Sequence, residues 1–112
     1  MRVISQDGTI DVPYEYFSLS VASGKCKDVE YACIYCRNLS SPNGTKLAEY
    51  STEAKAIKAM EMLREHNEGV IFLKTIINTE KGTQFVRVLP KTAFDKMTQN
   101  YFQFPQDDEI EV

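Results

Sequence analysis

Val29-Glu-Tyr-Ala-Cys-Ile-Tyr-Cys-Arg37 alternates along its length, and that alternation decides how the rest of the chain is read. Successive side chains of an extended strand point to opposite faces, so Ala32, Ile34 and Cys36 form one face. Tyr31, Cys33, Tyr35 and Arg37 form the other. The first set is small and apolar and suits a core; the second mixes rings, a thiol and a charge. The preceding run has the same period: between Tyr14 and Ala22, Phe17, Leu19 and Val21 share one face and Tyr16, Ser18 and Ser20 the other. Ser23-Gly24-Lys25 reads as the turn joining the two runs. Ser40-Ser-Pro-Asn-Gly44 has turn chemistry as well, and Lys46 to Tyr50 then returns as a short strand.

Outward from this centre, Val3-Ile4-Ser5 and Thr9-Ile10-Asp11 flank Gln6-Asp7-Gly8, a hairpin signal closed by Pro13. Thr52 to His66 carries Ala56, Ile57, Met60 and Leu63 on one helical stripe, with Ser51 as N-cap and Gly69 as terminator. Glu53, Lys55, Lys58, Glu61 and Arg64 make its solvated face. Val70 to Ile77 is apolar on both alternations and is expected as the central strand. Glu80-Lys81-Gly82 then turns the chain into a strand from Gln84 to Leu89, with Val86 and Val88 on one side and Phe85 and Arg87 on the other. Pro90 opens a shorter helix to about Asn100, with Phe94 and Met97 inward. An aromatic run from Tyr101 to Phe104 stops at Pro105.

The expected class is therefore α+β: an antiparallel β-sheet of about five to six strands, packed by one main amphipathic helix and a second shorter helix. Residues 1–105 read as a single domain and residues 106–112 as an acidic, mostly exposed C-terminal tail. The 112 residues suit one domain, and 43% hydrophobic with 11% aromatic residues can bury a core without staples. A formal charge of −3 lacks the basic excess of a nucleic-acid wrapper, so nucleic acid is an unexpected partner. The first residues show no long apolar signal region and no stretch has membrane-spanning length, so a cytoplasmic protein with reduced cysteines is expected.

Cys33-Ile-Tyr-Cys36 has Cys-x-x-Cys spacing, but a redox pair needs its first thiol at a helix start, and this one lies in a strand. Zinc would have to recruit Cys26 and His66 as well, with irregular spacing and no second pair. Structural cysteines are the commoner outcome, and no metal or cofactor is expected. His66, near a helix C-terminus, more often complements the helix dipole than acts as acid or base. Asp107-Asp108-Glu109 sits on a tail, a poor place to hold a metal or proton donor rigidly. The five glycines all read as turn residues, and no nucleophile motif is present, so an enzyme is not expected. Tyr35 and Arg37, Phe85 and Arg87, and Tyr101 instead offer rings beside guanidinium groups, which suits stacking on bases and gripping phosphates. Burial in a core or subunit interface is the commoner use of such rings.

Two ends of the chain carry a likeness. Met1-Arg-Val-Ile-Ser-Gln-Asp-Gly8, Asp11-Val-Pro-Tyr-Glu15 and Phe102-Gln-Phe-Pro-Gln-Asp-Asp-Glu-Ile110 resemble a family of short proteins, without assigned activity, of Gram-positive bacteria and their phages and prophages. Leu47-Ala-Glu-Tyr-Ser-Thr52 with Lys58-Ala-Met-Glu-Met-Leu-Arg64 is similar to that family's middle helix, whereas Val70 to Leu89 lies outside the resemblance. No residue's role follows from it. What it implies is a setting among small proteins of mobile elements, often accessory to infection. The expectation is a non-enzymatic phage or prophage binding protein, a counter-defence factor sequestering a nucleotide-type signal in a homo-oligomer. Its alternatives are an acidic nucleic-acid mimic that inhibits a host defence protein, or a structural or assembly accessory.

Overall fold

The computed structural model describes residues 1–76 and 79–112. β1 (Arg2–Ile4) pairs antiparallel with β2 (Asp11–Pro13) and parallel with β6 (Tyr101–Gln103), so the two ends of the chain share one small sheet. β3 (Ser18–Cys26), β4 (Val29–Asn38) and β5 (Ser41–Tyr50) form a second, antiparallel sheet with β4 in the middle. α1 (Glu53–Ile76) follows, then α2 (Glu80–Val88) and α3 (Lys91–Thr98). The class is α+β as expected, but the strands divide three and three between two sheets rather than forming one.

The expected faces of β4 hold. Ala32, Ile34 and Cys36 are buried, and with Leu47, Ala48 and Tyr50 of β5 they meet Ala56, Ala59 and Leu63 of α1. Val3 and Val12 of the small sheet, with Phe104 and Ile110 from the chain beyond β6, close the same core. Tyr50 is fully buried and donates its hydroxyl to the Pro105 carbonyl at 2.7 Å. The α1 stripe is shifted from the expected one: Ala59 is buried, while Ile57 turns outward and is 45% exposed. The N-cap is Thr52, whose hydroxyl accepts from the Lys55 amide at 3.2 Å. Ser51 instead donates its amide and hydroxyl to Asp107.

Two turns move. β3 continues through Ser23-Gly24-Lys25, and the chain reverses at Lys27-Asp28, both left-handed at φ 50° and 64°. Gly24 serves packing: a Cβ there would press on the Tyr31 ring, which lies over it from β4. The β4–β5 reversal is Leu39-Ser40, and Gly44, at φ 83°, falls in β5 where the register slips.

The largest correction is at Val70. Residues 70–76 do not form a central strand; they continue α1 through Gly69, and Gln84–Leu89 is replaced by the helix α2. Val70 and Leu73 are buried and sit seven and ten residues after Leu63, so they prolong its helical stripe. A single glycine costs a helix only about 1 kcal/mol, less than two buried aliphatic side chains contribute. Thr79 accepts from the Gly82 amide at 2.9 Å and caps α2, so Glu80-Lys81-Gly82 is a helix start and not a strand turn. The second shorter helix is present as α3. Ile77 lies outside the described residues, as do the side chains of Val86, Phe94 and Met97, whose expected orientations are therefore left aside.

Residues 106–110 are tied to the body. Asp107 accepts from Ser51 and from the Lys55 ammonium, 3.3 Å away, and Ile110 is buried. No helix among the described residues is long and apolar enough to cross a membrane.

Candidate functional site

α1 is long because its apolar stripe does not stop at Gly69, and its length builds a groove. Met60, Arg64, Asn67, Ile71 and Lys74 recur at spacings of four and three residues and so share one side of the helix. Facing them, Pro13 ends β2 and Tyr14–Tyr16 make a 3₁₀ turn, which sends Tyr14, Glu15 and then Phe17 and Leu19 toward the helix. Met1 and Asn100 close one end. The cavity so enclosed is about 500 Å³, within the range of small-ligand clefts.

Its electrostatics are one-sided. The Met1 ammonium donates to Glu15 at 2.7 Å, and this bond holds the Glu15 carboxyl below its ordinary range, with Lys74 a smaller contributor. That carboxylate is therefore matched by the amine. Arg64 and Lys74 make no ion pair or side-chain hydrogen bond among the described residues. Ten residues of helix set their Cα atoms about 15 Å apart along the axis. Between them on the helix lie Asn67, Val70 and Ile71, with Met60 one turn beyond Arg64, and Tyr14, Phe17 and Leu19 line the other wall. An anion is attracted at both ends, and a flat apolar group is sheltered between.

The five residues singled out from the sequence lie on three separate elements. Tyr35 and Arg37 share the outer face of β4, as expected, beside Cys33 and away from α1. Phe85 and Arg87 lie on α2 rather than on a strand, and the Phe85 ring meets Phe72 edge-on with centroids 5.9 Å apart. Tyr101 lines a second cavity of about 480 Å³ with Met62, Glu65, His66, Gln99, Phe102 and Gln103. There His66 Nε2 bonds the Gln99 carbonyl at 2.8 Å. A carbonyl only accepts, so Nε2 carries the proton and Nδ1 is left as an acceptor in the neutral ring.

The zinc set is not assembled. Cys33 is buried on the face of β4 opposite Cys36, which enters the main core, while Cys26 ends β3 and His66 is on α1. Among the described residues no group of three or more His, Cys, Asp or Glu side chains could hold a metal. Both β4 thiols are pushed up by burial, Cys33 further by the Glu49 carboxylate whose Oε1 lies 3.8 Å from its Sγ. Neither has the depressed value of a redox or nucleophilic cysteine.

Sequence reasoning missed Lys74 because it placed residues 70–77 in a strand, and it read Arg64 as one charge of a solvated face. The signal was available: the four–three spacing from Met60 to Lys74 runs unbroken through Gly69. No family model, curated protein or solved structure matches the chain.

Proposed function

We propose that this protein is a non-enzymatic binding protein of the phage or prophage type that holds a small nucleotide-type ligand in the groove beside α1. The observation that carries the reading is the pair Arg64 and Lys74, which line an apolar groove and make no salt bridge among the described residues, in a chain whose net charge is −3. Arg64 supplies a planar fork for phosphate oxygens and Lys74 a point charge. Tyr14, Phe17 and Ile71 supply flat and aliphatic surface for a base. Asn67 and Asn100 add amide donors and acceptors for orientation. Among the described residues the groove is lined by neither histidine nor cysteine, which favours retention of a ligand over chemistry upon it. In a phage setting, retention of a signalling nucleotide amounts to counter-defence.

Native mass spectrometry of gently purified protein, followed by titration with ribonucleoside phosphates and cyclic nucleotides, tests this. Arg64→Ala and Lys74→Ala should each weaken retention by about tenfold or more, the loss of one charge-assisted contact. Arg37→Ala should leave it unchanged. Binding by no member of the panel, or equal binding by the groove variants, would sink the reading.

A protein partner is the second reading. It is favoured by Phe72, Phe85 and Val88, which are all exposed on α1 and α2. An acidic mimic centred on the tail has less support, because Asp107 is engaged by Ser51 and Lys55 and Glu109 by the Gln106 amide.

A further inference from the structure

The two long edges of the β3–β4–β5 sheet differ. Along β5, the Gln6 side chain accepts from the Glu49 amide at 3.0 Å and donates to the Glu49 carbonyl at 3.1 Å. The Gln6 amide donates to the Leu47 carbonyl at 2.8 Å, and Asp107 accepts from the Ser51 amide. Together these imitate a neighbouring strand. Along β3 nothing comparable is found: apart from its ladder to β4, none of its backbone groups bonds another element's backbone among the described residues.

Which groups are left over follows from the hairpin. Lys27-Asp28, with both φ angles positive, is a two-residue connection, so the flanking pair Cys26 and Val29 exchanges both its hydrogen bonds. The register is unbroken back to Ser18↔Arg37, so alternate residues Ser18, Ser20, Ala22, Gly24 and Cys26 bond to β4. Leu19, Val21, Ser23 and Lys25 therefore direct four N–H and four C=O groups at the free edge. A long open edge of this kind is a template for another strand.

We propose that the free β3 edge pairs antiparallel with β3 of a second copy of this chain, about a twofold axis at Ala22, joining the two sheets into one of six strands. A twofold axis requires a residue to face itself, and Ala22, the midpoint of Ser18–Cys26, lets the whole strand overlap. Leu19 then faces Lys25 of the partner subunit and Val21 faces Ser23 of the partner subunit. Every outward N–H meets an outward C=O. Lys25 is the only charged residue of β3, and in this register it lies opposite an aliphatic side chain rather than another lysine. The half-buried Leu19 and Val21 gain cover along the seam. The outer-face residues Ser18, Ser20, Ala22 and Gly24 are too small to obstruct it. The seam is smaller than an obligate interface, so the dimer forms with rising concentration. Leu19 also lines the α1 groove, so pairing brings Lys25 of the partner subunit to its rim as a further cation. That consequence rests on the ligand reading; the pairing does not.

Sedimentation equilibrium over a concentration series, with oxidative cross-linking in a Cys26→Ser background, tests the proposal. The expected results are a monomer–dimer equilibrium and a covalent dimer from Ala22→Cys, whose Cα atoms would face each other at about 4.5 Å. Ser20→Cys, facing Gly24 of the partner subunit, should give none. Ser23→Pro removes an outward N–H that β4 does not use, and should yield a monomer with an unchanged circular dichroism spectrum. A monomer at every concentration would overturn the proposal, as would a dimer cross-linked equally well through Ser20→Cys. Should Ser23→Pro fail to fold, the cross-linking pattern decides by itself.

Discussion

The body of the molecule and its helical arm are built from the same kinds of residue and held in different ways. In the body, Val3, Ile34, Tyr50, Leu63 and Phe104 are all fully buried where the two sheets meet the first half of α1. Its polar groups are matched too: Ser5, 2% exposed, donates to Asp7 and accepts from the Ile10 amide. The arm, made of the second half of α1 with α2 and α3, buries Val70 and Leu73 but leaves Ile71, Phe72, Phe85 and Val88 in solvent. Apolar content alone therefore does not make a core. What separates the regions is how many neighbours each apolar side chain finds from distant parts of the chain, and local stability should follow that difference.

The sharpest way to break the comparison is to remove the same group from each side. Leu63→Ala should cost about 2–5 kcal/mol of global stability, because the surrounding sheets and helix can collapse only partly onto the cavity. Leu73→Ala, in the arm, should fall toward the bottom of that range, about 2 kcal/mol, since thinner packing relaxes more easily. Urea unfolding measures both. Equal losses would mean that arm and body form one cooperative unit.

The same contrast explains what the sequence made legible. β3 and β4 were readable because a half-buried strand writes its two faces at period two, as Ala32, Ile34 and Cys36 do against Tyr31, Tyr35 and Arg37. Val70 to Ile76 was not, because a run apolar on both alternations is as compatible with a helix as with a central strand. Burial of Val70 and Leu73 in phase with Leu63 decided for helix. The parallel β1–β6 pair was invisible for a different reason: it joins segments about a hundred residues apart, and no local pattern encodes which strand a short aromatic run will meet. As for the groove, Arg64 and Lys74 were visible as charges, but their alignment exists only once α1 runs through Gly69.

A second prediction targets the corner that sets the arm's direction. A Cβ on Gly82 would overlap the Ile76 carbonyl, so that residue is glycine because two backbones touch. Gly82→Ala should cost about 1–3 kcal/mol, the usual range for forced overpacking. The loss should be confined to the arm. Hydrogen exchange should accelerate across α2 and the end of α1, with β4 and the first half of α1 unaffected. Acceleration spread evenly over the chain would contradict the division into two regions.

The smallest expected effect is the pH dependence, and it sharpens the comparison from the body's side. Asp7 accepts from the Ser5 hydroxyl and from the Thr9 amide and hydroxyl, and these bonds hold its carboxyl at about 2. Asp107 is lowered by the Ser51 amide, with Lys55 assisting, and Glu15 by the Met1 ammonium. All three lie on the body. An aspartate in the unfolded chain titrates near 3.9, so at intermediate pH the unfolded state binds more protons than the folded one. The stability Asp7 contributes is present above about pH 4 and is lost as the pH falls toward about 2, and that of Asp107 and Glu15 is likewise lost as the pH falls below the ordinary carboxylate range. It is modest, because exposed carboxylates are well screened. Asp7→Asn should remove part of the slope in that window while leaving the urea midpoint at neutral pH lowered by a constant amount. Arm-specific exchange, measured beside it, should carry little of the slope. If acid instead opened the arm in step with the body, the carboxylates of the body would be coupled to α2, and the two regions would have to be treated as one.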